Sequence, residues 1–149
     1  MLRRLRPILA AGLLCGSPTP AEQQPPSTNE IAELRVQAEK GDARAQFNLG
    51  VRHAIGYGVT KDEAEAAKWY RKAAEQGNAK AQCNLGFMYV DGAGVPKDPV
   101  EAYKWWLLAG LQGDQDAKTN GAILKPFLTP VKLAEAGRRA REFNPSQPR

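Results

Sequence analysis

The feature that most constrains this chain is an internal repeat. Residues 41–76, GDARAQFNLGVRHAIGYGVTKDEAEAAKWYRKAAEQ, lie without a gap over residues 77–112, GNAKAQCNLGFMYVDGAGVPKDPVEAYKWWLLAGLQ, with 18 of 36 positions identical. Self-similarity at such a period marks a supersecondary unit that buries its apolar face only against its neighbours. A third copy opens at Gly113-Asp114 and keeps Ala117 and Asn120 in register before degenerating. An incomplete copy precedes the first, with Ile31, Leu34 and Ala38 in the places of Ala67, Tyr70 and Ala74.

Within one unit the pattern predicts two antiparallel helices. The first runs from about Ala43 to Ile55, capped by Asp42, whose counterpart is Asn78. Its small or apolar positions Ala45, Leu49, Gly50 and His53 recur at helical spacing. A glycine-bearing loop over 56–61 turns the chain. Asp62 then caps the second helix, with Glu65 at the spacing of a capping box; Asp98 and Glu101 repeat this, with Pro99 at the first helical position. Gly77 and Gly113 end the second helices. No proline falls inside these segments, where one would cost about 3 kcal/mol.

The strings A-x-A-Q-x-N-L-G, G-x-G-V-x-K-D and A-x-K-W-[YW] at this spacing resemble the Sel-one-like repeat (SLR) family, relatives of the tetratricopeptide repeats with a period about two residues longer. The resemblance covers roughly residues 30–125. It implies an all-α fold, a right-handed α-α superhelix (solenoid) of about three helix-turn-helix repeats, acting without catalysis as an adaptor or scaffold that holds a peptide or protein on its concave face. His53 departs from the pattern where Tyr89 keeps it, and Gly121-Ala122 replaces Leu85-Gly86, so the third copy reads as a terminal cap. Cysteine-rich members of the family are linked to β-lactam binding; the regular cysteine pairs that mark them are absent, Cys15 and Cys83 being the two cysteines of the chain.

Outside the repeats the chain has distinct ends. Residues 1–21 combine a basic start (Arg3, Arg4, Arg6), an apolar run from Ile8 to Leu14 and a small-residue stretch ending Thr19-Pro20-Ala21, the layout of a secretory signal peptide. The run falls short of the roughly 18 to 20 residues that span a bilayer, so no stable membrane insertion is expected after cleavage. The predicted product begins at Glu22 and is exported, periplasmic or secreted; a lipoprotein signal at Cys15 and a mitochondrial presequence are the alternatives. Residues 22–29 form a Pro-rich linker expected to be disordered, and 144–149 a disordered tail. Between them lie the repeat domain, 30–125, and a capping helix over 129–143 that carries Leu133, Ala136, Ala140 and Phe143 on one face. A cover is needed because Arg71, Lys72 and Glu75 of the first repeat become Leu107, Leu108 and Leu111 in the second. The capping helix should pack on those leucines; a partner or a second copy of the chain is the competing cover.

Charge and residue inventory narrow the chemistry. The net charge is +5, but Arg3, Arg4 and Arg6 supply three of it and residues 30–125 hold 13 basic and 13 acidic residues. A nucleic-acid ligand is therefore not expected, since it calls for a basic stripe on the folded body. Ser17, Ser27 and Ser146 lie outside the repeats, so no serine nucleophile sits in the fold. His53, the single histidine, occupies an aromatic slot and reads as packing. The Gly56-x-Gly58 and Gly92-x-Gly94 loops join helix to helix and lack the strand and Gly-Lys-Ser/Thr ending of a phosphate loop. Cys83 aligns with Phe47 and reads as a filler or surface residue, and capping explains two of the carboxylates Asp62, Glu63 and Glu65. No catalytic residue, cofactor or metal ligand is expected. The alternative from another class is a small envelope enzyme or enzyme subunit acting on peptidoglycan or a β-lactam.

What remains is a binding surface. The aromatic set Trp69, Trp105, Trp106, Tyr70 and Tyr103 reads as inter-repeat core. The positions left over on the first helices nominate Arg44, Asn48, Val51 and Arg52, matched by Lys80, Asn84, Phe87 and Met88, as the peptide- or protein-binding set of a monomer. Asn48, Asn84 and Asn120 form a ladder that could grip an extended backbone or tie neighbouring helices together, since an amide both donates and accepts.

Overall fold

A computed structural model describes residues 26–143, and these residues fold as seven α-helices with no strand among them. In chain order they are α1 (Thr28–Glu39), α2 (Ala43–Ile55), α3 (Glu63–Glu75), α4 (Ala79–Asp91), α5 (Pro99–Leu111), α6 (Gln115–Leu124) and α7 (Pro130–Glu142), with a 3-10 turn, Lys125–Phe127, between the last two. Each helix from α1 to α5 packs against the next, and α7 returns onto α5. The result is the α-solenoid. The expected signal at 1–21, the first half of the linker (22–25) and the tail at 144–149 lie outside the described residues.

Helix starts follow the expected caps. The carboxylates of Asp42, Asp62, Asp98 and Asp114 and the amide of Asn78 each accept a backbone N–H from the first turn of their helix. The reciprocal half of the capping box does not form at the second helices, however. The Asp62 and Asp98 backbone N–H groups already donate to the carbonyls of His53 and Tyr89 across the loop. Glu65 and Glu101 turn instead to Lys68 and Lys104. The complete box lies earlier, between Ser27 and Glu30, and starts α1 at Thr28, inside the segment read as linker. The pattern of apolar periodicity missed it because the first turn of α1 is polar.

α1 stands as the second helix of a preceding half-repeat. Ala38, its buried residue, forms with Ala45, Leu49 and Trp69 a small N-terminal cluster, separate from the larger core built on α3–α6. One device recurs at two joints, α1–α2 and α3–α4. The Gln46 side chain donates to the Ala38 carbonyl at 3.0 Å and accepts from Gln76 at 2.7 Å; Gln82 donates to the Ala74 carbonyl at 3.1 Å and accepts from Gln112 at 2.8 Å. These buried clasps add a side-chain donor to helix-end carbonyls that also accept the Gly41 and Gly77 backbone N–H groups, and so tie each helix end to the next repeat.

Glycine sets the close approaches. Within the second repeat the Trp106 ring crosses α4 at Gly86, where a Cβ would lie 2.3 Å from the indole Nε1. Tyr70 crosses Gly50 in the same way. Between repeats, Gly94 adopts φ +66° with its backbone against the Glu63 carbonyl, so both its left-handed conformation and the lack of space call for glycine.

The C-terminal helix packs on α5 as expected, but covers less than the whole leucine face. Ala136 and Ala140 are buried, Leu133 and Phe143 pack on the core, and Phe143 meets Trp105 edge-on at a centroid distance of 5.3 Å. Arg139 reaches Glu101 at 2.7 Å. Burial raises the Glu101 carboxyl pKa, but hydrogen bonds and charge from Lys104 and Arg139 outweigh that and hold it below its ordinary value. Leu108, half-buried, packs on the core. Leu111 does not: it is 76% exposed, and Leu107 is half-buried on the far side. The reason is helical geometry, because 101, 105 and 108 share the stripe facing α7 whereas 107 and 111, one turn apart, lie on the neighbouring stripe toward α6.

Candidate protein-interaction surface

The first helices are not equivalent. On α2, Arg44 and Asn48 are exposed one turn apart, and Val51 and Arg52 follow half-buried. Val51 packs against the main core, and the Arg52 guanidinium lies 5.2 Å from the centre of the Tyr57 ring. One terminal nitrogen of Arg52 is buried without a hydrogen-bond partner. This stripe presents a cation, an amide and an aliphatic edge within two turns.

On α4 the matching positions are mostly core. Lys80 is exposed, with its ammonium 3.2 Å from the Asp114 carboxylate. Asn84, Phe87 and Met88 are 2%, 6% and 8% exposed, so the nomination of these three as an accessible ligand face is corrected. Phe87 meets Trp106 edge-on at 5.2 Å, and Phe47 and Val51 of α2 pack on the same cluster that contains Phe87 and Met88. Asn84 stands near the Tyr70 hydroxyl; burial pushes that phenol far above its ordinary pKa, and the neighbouring Asn84 amide pulls the other way. The asparagine ladder therefore splits: Asn48 faces out, while Asn84 and Asn120 are buried. α4 is the central helix of the described solenoid, with α3 and α5 packed along it, and repeat equivalence in sequence conceals that difference in environment.

The other candidates take structural places. His53 is 8% exposed in its packing slot, and Cys83 is fully buried beneath Trp106, whose Nε1–H donates to the Cys83 carbonyl at 3.0 Å. Trp69 lies in the N-terminal cluster, Trp105 and Trp106 in the main one, and Tyr103 packs at its edge. Among the described residues no group of three or more His, Cys, Asp or Glu is arranged to hold a metal ion, and no helix is long and apolar enough to cross a membrane. The glutamine clasps escaped the sequence reading, although identity of Gln46 with Gln82 and of Gln76 with Gln112 at the repeat period was the available sign.

Comparison with known proteins agrees with this architecture. The Sel1 repeat profile matches residues 43–78 and 79–114. The secretory immunoglobulin A-binding protein EsiB of Escherichia coli O6:H1 is 42% identical over 43 residues, which are 29% of this chain and 9% of that protein. Among solved structures, a protective antigen of uropathogenic Escherichia coli displaying an SLR fold superposes with TM-score 0.74 at 34% identity, over 95% of this chain and 29% of that one. A Sel1 repeat protein from Oxalobacter formigenes gives TM-score 0.55 at 38% identity, over 56% of this chain and 63% of that one. The chain thus spans less than two thirds of the length of each. Sel1 repeat proteins are typically non-enzymatic and generally serve as protein-interaction adaptors. With two tandem repeats matched, their helix pairs packed in sequence and SLR-fold structures as neighbours, residues 43–114 of this chain are Sel1 repeats.

Proposed function

We propose that this protein is an exported, non-enzymatic adaptor of the cell envelope that holds a peptide or protein segment on the concave face of its repeats, with α2 as the principal contact. The carrying observation is the stripe Arg44, Asn48, Val51 and Arg52, in which exposed cationic and amide groups border a half-buried aliphatic edge. Such a surface suits a segment with an acidic side chain or C-terminal carboxylate beside an apolar anchor. Lys80 extends the cationic character to the next repeat, although Asp114 shares its charge. EsiB, described as binding immunoglobulin A, is a relative whose ligand is itself a protein. The basic start, short apolar run and Thr19-Pro20-Ala21 support export.

Photocrosslinking tests the contact face. A benzophenone amino acid at position 48, on α2, should capture one dominant partner in the envelope fraction, and Arg44→Glu should abolish that adduct. The same probe at position 134, exposed on α7, should not capture it. Equal labelling from both positions, or an adduct indifferent to Arg44→Glu, refutes the assignment. Intact-mass measurement of the protein from that fraction should give an N-terminus at Glu22, and retention of Met1 in the cytoplasm refutes export.

A further inference from the structure

The second and third repeats differ at their helix joints, and the difference leaves a groove. Between α3 and α4 the space is filled from α4 by Gln82, Leu85 and Tyr89, each at most 8% exposed. Moving 36 residues along, α6 and the 3-10 turn after it offer Lys118, Gly121 and Lys125 in those places. The clasping glutamine, the core leucine and the aromatic ring are all lost together. A groove of about 350 Å3 results, floored by Trp106 and Tyr103 of α5, with Leu107 and the exposed Leu111 along one wall and both lysines at the other.

The lining decides what fits. It contains no acidic side chain, and neither Lys118 nor Lys125 forms an ion pair among the described residues. Seven residues apart, on α6 and at its C-cap, whose backbone is still helical, the two cations stand on one side at a separation of about 10 Å along the axis. A Cβ at Gly121 would meet Trp106 and Tyr103 at ordinary contact distances of 3.8 and 3.9 Å, so a side chain has room to enter from that point. The second repeat supplies the template for the occupant, since a leucine and a tyrosine fill the equivalent space there.

We propose that this groove is a second interaction site, separate from the α2 stripe, for a protein segment that inserts a bulky aliphatic or aromatic side chain between acidic groups spaced about two helical turns apart. Opposite charge and vacated apolar volume together select it. A helical segment with glutamates at i and i+7 and leucines at i+3 and i+4 meets both demands, because those positions share one helix face.

The test uses a fluorescein-labelled peptide of that pattern, titrated into the purified full chain and read by anisotropy, against a control peptide with lysine in place of both glutamates. Saturable binding of the acidic peptide is expected, at least tenfold tighter than that of the control. Lys118→Glu with Lys125→Glu should weaken it at least tenfold; both sites are exposed, so the fold should persist. Gly121→Leu restores the leucine of the second repeat and should abolish binding while the melting temperature holds or rises. Arg44→Glu should leave this binding unchanged, which separates failure of this site from failure of the α2 reading. Equal affinity for the two peptides, or undiminished binding to Gly121→Leu, overturns the proposal. So does concentration-dependent self-association that Gly121→Leu abolishes, which would make the groove a contact between copies of the chain.

Discussion

Replacing Gly86 by alanine probes the closest helix contact in the fold. Mid-helix, the substitution should help by about 1 kcal/mol, because alanine is the better helix former. Here it must not help. The new methyl would lie 2.3 Å from Nε1, 2.6 Å from Cδ1 and 2.8 Å from Cε2 of Trp106, a rigid ring that is 2% exposed. The ring is also held by its hydrogen bond to the Cys83 carbonyl and by Phe87 at its edge. Displacing it forfeits a hydrogen bond worth about 1 kcal/mol and adds an overpacking cost of roughly 1 to 3 kcal/mol. After the propensity gain the net loss is about 1 to 3 kcal/mol, or roughly 4 to 12 °C in melting temperature for a domain of this size. Gly137→Ala is the matched control, since its nearest neighbour is the mobile end of Arg141 at 3.4 Å, and it should gain up to about 1 kcal/mol. Thermal melts followed by circular dichroism decide the matter. A Gly86→Ala protein as stable as the parent would show that Trp106 yields freely and that the contact does not set the helix spacing.

Gln82→Ala should cost about 1 to 2 kcal/mol in urea unfolding, because it removes the buried hydrogen bond to the Ala74 carbonyl and leaves the Gln112 amide without its partner. Asn84→Ala should destabilise by about 1 to 2 kcal/mol while Asn48→Ala changes stability by less than about 0.5 kcal/mol, and equal effects would reunite the ladder. Deleting residues 129–149 should lower stability by about 3 kcal/mol or more, from exposure of Trp105 and Leu108 and loss of the Phe143 and Leu133 contacts, and an unchanged melt would refute the capping role. The depressed pKa of Glu101 makes its pairing stabilising above the unfolded value near 4.5, with the contribution lost as pH falls through the folded value. The melting temperature of Glu101→Gln should therefore change less than that of the parent between about pH 5 and 3, as scanning calorimetry would record.

Repetition at a fixed spacing, with the caps Asp42, Asp62, Asn78 and Asp98 and the closing glycines, determined the helices and their order from sequence alone, because capping and periodicity act over a few residues and leave a local trace. The sequence also located α7 and its partner helix, since three charges turned apolar together require cover. It could not separate Asn48 from Asn84. The two residues are identical in type and repeat position, and only the stacking of helices makes one a surface group and the other a core group. The same holds for Leu108 and Leu111, divided by which stripe of α5 happens to face α7. The void at Gly121 is likewise invisible locally, because a missing side chain becomes a groove only when the helix opposite fails to close on it. Burial belongs to the assembled solenoid, and it was the tertiary structure that decided which of the nominated residues a ligand can reach.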